Sequence, residues 1–240
     1  MKRTYVFVFV LAMVLGFYVQ AQATLTTIGQ AQYGGTNYNL IWDNDGPFGS
    51  IVWLDYSKDR DTWLNQWVWA DRLNNSGTLT YTINPIYSVT WSDKWRLPKT
   101  VDGPYPYAYG YDGTTAEGYN ITTNEMGHLY YTELGNKGYV ATDGTYPQLG
   151  WGLNNTASFK NLQAADYWSG TGCNYAPGSV WFFYFYDGSQ NYFNKLSQEL
   201  YVLAVRPGDV STVPEPGTML LLGSGLVTLA GYGRKKFFKK

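Results

Sequence analysis

Cysteine and histidine are almost absent from this chain. Cys173 is its single cysteine and His128 its single histidine. A lone thiol cannot form an internal disulfide, so even in an oxidising compartment the fold must be held by its core. One imidazole excludes a metal site built from several histidines. Charge is scarce as well, with charged residues at 15% of the chain and a formal net charge of −1. That balance hides an asymmetry. Seven of the 17 bases and one of the 18 acids lie at the two ends, which leaves 10 bases against 17 acids, about −7, between Thr24 and Val213. Such a surface repels phosphate backbones, so no nucleic-acid partner is expected. It disfavours acidic polysaccharides for the same reason.

What the chain has in quantity is aromatic side chains, 18% of all residues. Each buries a large area, so most are expected in the core or as its half-buried cover. The two ends are different in kind. Lys2 and Arg3 precede an apolar run over residues 5–19, and Ala21-Gln22-Ala23 offers a small-x-small cleavage site. This is the pattern of a secretory signal peptide over residues 1–23, with Ala21 and Ala23 as the processing residues.

The opposite end reads "VPEPGTMLLLGSGLVTLAGYGRKKFFKK". Its apolar stretch, residues 218–232, would make a helix of roughly 22 Å, short for a bilayer core of about 30 Å. Arg234, Lys235 and Lys236 follow at once and favour the cytoplasmic side. The order of Pro214-Glu215-Pro216, a short Gly-containing apolar helix and a basic cluster closely resembles the PEP-CTERM sorting signal. That resemblance implies an exosortase-type peptidase as a partner besides signal peptidase, transient membrane contact through the tail helix, and localisation to the envelope, surface or extracellular matrix of a Gram-negative cell that makes exopolysaccharide. A retained membrane anchor is the alternative reading of the same residues.

Between the ends, residues 24–212 have the length of one domain. Strands are expected at 39–42 and 51–56 around the turn "DNDGPFGS", at 78–83, and most clearly at 180–186 and 201–205, which are rich in aromatic and β-branched residues. A helix is expected over 59–74, with Trp63, Trp67, Ala70 and Leu73 on one face and Asp61 or Thr62 as its cap. A second is expected over 124–134, opened by a Thr122/Glu125 capping box. Long Gly/Pro/Asn-rich stretches cover 99–123 and 136–166. Loops of that length either bind something or are stapled by their own side chains.

Four segments in this order, "DTWLNQWVWADRLN", "DKWRLPKT", "ADYWSGT" and "VWFFYFYDG…YVLAVRPGD", resemble the Lcl C-terminal domain family of bacteria. That family is related to the C-type-lectin-like and formylglycine-generating-enzyme fold. The resemblance implies an α+β, C-type-lectin-like fold with two helices, short antiparallel strands and long loops. Trp95, Leu97, Trp168 and Trp181 are then expected in the core. Arg96 and Arg206 are expected to pair with buried carboxylates or carbonyls, because an isolated buried charge is costly.

Chemical motifs are few. Formylglycine generation needs two thiols, and this chain has one. Sugar-binding C-type lectins hold calcium with Glu-Pro-Asn or Gln-Pro-Asp plus Trp-Asn-Asp, none of which occurs. Asp43-Asn44-Asp45-Gly46 fails the EF-hand spacing, since Phe48 and Leu54 stand where glycine and glutamate are required. His128 with Glu125 and Glu133 reads as ordinary helix-surface chemistry, and Cys173 as a packed loop thiol. No catalytic residue, metal ligand or cofactor is therefore assigned. A binding surface is left. "YPYAYGYDG" sets Tyr105, Tyr107, Tyr109 and Tyr111 at alternate positions, which share one face if the segment is extended. Tyr107, Tyr109 and Tyr111, with Trp151 as a second location, are the candidate ligand-binding residues. Two function classes stay open: a non-catalytic, surface-sorted binding or matrix protein contacting extracellular polysaccharide without metal, or a carboxylate enzyme acting on extracellular glycans. A membrane-anchored structural protein of the envelope is a further alternative.

Overall fold

A computed structural model describes residues 25–214, together with 217 and 223–226. The signal peptide with Ala21 and Ala23, and from the tail Glu215, Pro216, Arg234, Lys235 and Lys236, lie outside the described residues. Among those described, no helix is long and apolar enough to cross a membrane.

Among the described residues, nine strands form one sheet. They are β1 (Thr26–Tyr33), β2 (Thr36–Asp43), β3 (Ile51–Asp61), β4 (Thr80–Ile83), β5 (Tyr87–Trp91), β6 (Asp166–Gly172), β7 (Ser179–Tyr184), β8 (Ser189–Asn194) and β9 (Leu200–Thr212). Their order is β4-β1-β2-β3-β9-β6-β7-β8, with β5 also paired to β9. The pairings are antiparallel except the short parallel contact of β6 with β9 at Tyr167 and Tyr201. Helix α1 (Trp63–Arg72) follows β3, and a one-turn helix α2 (Glu125–His128) continues into a π-helical turn over Leu129–Glu133. This is an α+β architecture.

The centre of the sheet is apolar on both sides, and the period of two assigns each residue to a side. Val52 and Leu54 of β3, Leu40 of β2 and Val202 and Ala204 of β9 point to one core, which Trp69, Ala70 and Leu73 of α1 close. Ile51 and Trp53, Ile41, and Leu203 and Val205 point to the other, closed by Met126, Leu129, Tyr130 and Leu134. Each face of the sheet is thus sealed by one helical segment. A third, smaller cluster holds Trp181, Cys173 and Ala116.

The expected strands appear, several of them longer than their apolar runs. Trp95, Leu97, Trp168 and Trp181 are buried as expected. Arg96 pairs with the buried Glu125 carboxylate. Arg206 donates to the Asp93 carbonyl and lies over the Trp91 ring.

Two helical expectations need correction. The first helix starts at Trp63, not at 59, because β3 runs on to Asp61 by pairing Lys58 with Val202 and Asp61 with Leu200 of β9. Its inward stripe is Gln66, Trp69, Ala70 and Leu73, while Trp67 is 47% exposed. Asp61 still serves the helix start, accepting from the Thr62 amide and from Asn65 Nδ2. At the second helix the Thr122/Glu125 capping box does not form. Asn124 is the N-cap residue, and the Glu125 side chain turns away to Arg96.

Candidate functional site

The two long loops meet on the hairpin between β7 and β8. In the first, Gly118 exchanges backbone hydrogen bonds with Gln190 of β8, at 2.9 and 2.7 Å. In the second, the Tyr139 amide donates to the Asp187 carbonyl at 2.8 Å. The loops are tied to each other by Asn120, whose Nδ2 donates to the Tyr111 and Val140 carbonyls. Tyr131 sits at the junction. Its hydroxyl accepts from the Asn120 amide and donates to the Gly188 carbonyl. These loops are therefore fixed by their own side chains onto a rigid hairpin, which suits a preformed binding surface.

The four alternating tyrosines do not form a common strip. Their segment follows bends rather than a strand, because Gly110 bridges back to Gly118. Tyr105 turns toward Trp181 and Tyr175 and hydrogen-bonds Asp102. Tyr109 packs edge-on against Tyr119. Tyr107 is fully exposed, and Tyr111 lies close to Gly144 of the second loop.

Trp151 is different. It is half-buried and meets Tyr139 edge-on at 5.0 Å and Tyr186 edge-on at 5.1 Å. Tyr146 packs on Tyr139 at 6.2 Å and is 68% exposed. Tyr186, just past β7, is also exposed. Two stretches of chain thus build one aromatic surface, held by the Trp151–Gln148 and Gly152–Lys137 backbone hydrogen bonds. Trp151 was readable as a candidate. Tyr139, Tyr146 and Tyr186 were not, because nothing in their local sequence separates them from core aromatics.

Three clefts open on the surface of the described residues. One of about 530 Å³ beside α1 includes Asp61, and one of about 200 Å³ beside Tyr56 includes Asp59. The third, about 270 Å³ beside Cys173, has no carboxylate. None offers the facing pair that glycoside hydrolysis uses.

Carboxylates do converge elsewhere. Asp43, at the end of β2, and Asp45, in the following turn, lie next to His128 and Glu133. His128 Nε2 is 3.4 Å from Glu133 Oε1, 3.6 Å from Asp45 Oδ1 and 3.9 Å from Asp43 Oδ1. Burial raises the Asp43 pKa to about 6, against the Trp53 indole hydrogen bond and His128, with Glu133 and Asp45 adding to the rise. Burial opposes charge on His128, but Glu133, Asp43 and Asp45 outweigh it and hold its pKa above the ordinary imidazole value. Glu125 is not part of this group, since its carboxylate belongs to Arg96.

Cys173 is buried against Trp181 and Ala116, and burial pushes its thiol pKa up. A protonated, enclosed thiol is a poor nucleophile. Cys173→Ser is expected to cost about 1–2 kcal/mol in urea unfolding and to leave ligand binding unchanged.

Residues 212–236 match the PEP-CTERM protein-sorting motif. The chain is accordingly an exported protein of the cell envelope or surface of a Gram-negative bacterium, and the motif implies exosortase processing. No curated protein and no solved structure matches it.

Proposed function

We propose that this chain is a non-catalytic binding protein of the cell surface that holds a neutral or weakly charged polysaccharide on the aromatic surface around Trp151. The mature form runs from the cleavage site after Ala23 to the tail signal, on a scaffold of the C-type-lectin-like kind. The observation that carries the reading is one aromatic group, exposed Tyr146 and Tyr186 with half-buried Tyr139 and Trp151, tied to the β7–β8 hairpin. Aromatic faces stack on the C–H surfaces of sugars, and tyrosine hydroxyls add hydrogen bonds. Tyr111, at the border through Gly144, extends the surface toward the first loop. The sorting motif sends the chain to the compartment where such polymers are found. The acidic charge disfavours polyanions, and the clefts described above lack the acid pair of a hydrolase.

Calorimetric titration with the host's own exopolysaccharide tests this. Each ring is expected to contribute about 0.5–1.5 kcal/mol beyond its buried area. Replacing Tyr146 and Tyr186 together by alanine should therefore weaken binding roughly five- to a hundred-fold, with little change in thermal unfolding because both rings are exposed. Binding should depend only weakly on salt. Absence of heat with the wild-type protein, or equal affinity in the double variant, would overturn the assignment. Release of new reducing ends would favour the enzyme class instead.

A further inference from the structure

Asp43, Asp45, His128 and Glu133 come from the end of β2, the β2–β3 turn, the end of α2 and the end of the π turn. One donor atom from each lies within 4.8 Å of all the others. An acidic cluster alone would say little, but three of these four side chains are buried and each leaves a polar atom unsatisfied. Asp43 is 1% exposed and the Glu133 side chain 2% exposed. Asp43 Oδ1, His128 Nε2 and Glu133 Oε1 are each buried without a hydrogen-bond partner, and all three are aimed into the cluster. Native interiors rarely leave such atoms unpaired, because each costs its full desolvation. The 3.4 Å approach of His128 Nε2 to Glu133 Oε1 is too poorly aligned to satisfy either atom, so three underbonded atoms in one place point to a shared partner from outside the protein.

We propose that Asp43, Asp45, His128 and Glu133 bind one divalent first-row transition ion of the zinc type. Such an ion bonds nitrogen and oxygen at about 2.0–2.2 Å, which places tetrahedral donors about 3.4 Å apart. The separations from His128 Nε2, 3.4 to 3.9 Å, are close to that spacing, and the remaining donor pairs, within 4.8 Å, contract further when the ion is bound. A doubly charged ion offsets most of the repulsion among three carboxylates, whereas one proton on His128 cannot bond three oxygens at once. The imidazole selects against calcium, which takes six to eight oxygens. Asp45, 45% exposed in its side chain, is the ligand on the solvent side and gives the ion a way in. Asp43 is oriented by the Trp53 indole, which donates to its other oxygen at 3.3 Å. The ion would clamp the β2–β3 turn onto the helical segment that seals one face of the sheet. This role is independent of sugar binding.

The test uses the purified full chain, stripped with a chelator and dialysed, then titrated with zinc by calorimetry and thermal unfolding. One zinc per chain is expected, with a midpoint rise of about 5–10 °C at zinc a hundredfold above Kd. Asp45→Asn should weaken zinc at least about tenfold, and His128→Gln more, because a neutral amide replaces a metal-bonding group in each. Asp45 is half exposed, so its variant keeps the test valid if His128→Gln fails to fold. Calcium in a parallel titration should bind more weakly than zinc. No zinc bound to the wild type, wild-type affinity in Asp45→Asn, or calcium bound more tightly than zinc would each overturn the proposal.

Discussion

Glu125→Ala is expected to lower the unfolding free energy by about 3–5 kcal/mol, the range for breaking a buried ion pair by removing one partner. Glu125 is 1% exposed. Its two oxygens accept from Arg96 Nη1 at 2.8 Å and Nη2 at 2.7 Å, a bidentate fork. The Lys99 amide donates to the same carboxylate at 2.6 Å. Arg96 is itself bound on both sides of its backbone to Val205 of β9, at 2.9 Å each way. The pair therefore bolts the first turn of α2 to the central strand. Without the carboxylate, the Lys99 amide loses its partner and the guanidinium, with its side chain 21% exposed, keeps only its 3.0 Å bond to the Leu97 carbonyl. Urea unfolding of Glu125→Ala, Arg96→Ala and the double variant should show the two single losses far from additive. Additive losses would mean that the two residues act separately. Glu125→Gln should recover part of the loss, since it keeps one acceptor but not the charge.

How much of this was legible in the sequence depends on whether the signal was local. The apolar runs of β3 and β9 were, because a central strand buried on both faces has no polar alternation to hide it. The charge partner of Arg96 was foreseeable in kind, since a guanidinium beside buried Trp95 and Leu97 must find one. The strands β1 and β8 were not. In β1 only Ile28 and Ala31 are buried. In β8 the fully buried residues are Ser189 and Gln190, and Gln190 is paid off by hydrogen bonds to the Ala116 carbonyl and Asn124. Hydrophobic periodicity fails where buried positions are polar and satisfied. The helix capping box failed for the opposite reason: a distant arginine outcompeted the local amide for Glu125. The aromatic surface and the Asp43 cluster share one cause of invisibility. Each joins residues more than thirty positions apart, and the rule tested on Asp43 to Gly46 asked only for ligands within a single loop.

The last expected result concerns how tightly the first loop is held. Gly118→Ala should cost on the order of 3 kcal/mol, from backbone strain and forced contact together. Gly118 has φ +123°, and a Cβ there would come within 1.9 Å of the Gly110 carbonyl oxygen. That neighbour is backbone, so no side-chain rotation relieves it. Moving it would break the hydrogen bond that the Tyr119 amide donates to the Gly110 carbonyl, at 3.0 Å, or the two Gly118–Gln190 hydrogen bonds that seat the loop on β8. Gly35 supplies the comparison. It has φ +85°, but nothing lies within 4 Å of its would-be Cβ. Gly35→Ala should therefore show the conformational penalty alone, about 1–2 kcal/mol. The difference between the two variants in urea unfolding measures the close approach at Gly118. Equal losses would mean that the loop gives way freely, and that Tyr107, Tyr109 and Tyr111 are not held in place by the hairpin beneath them.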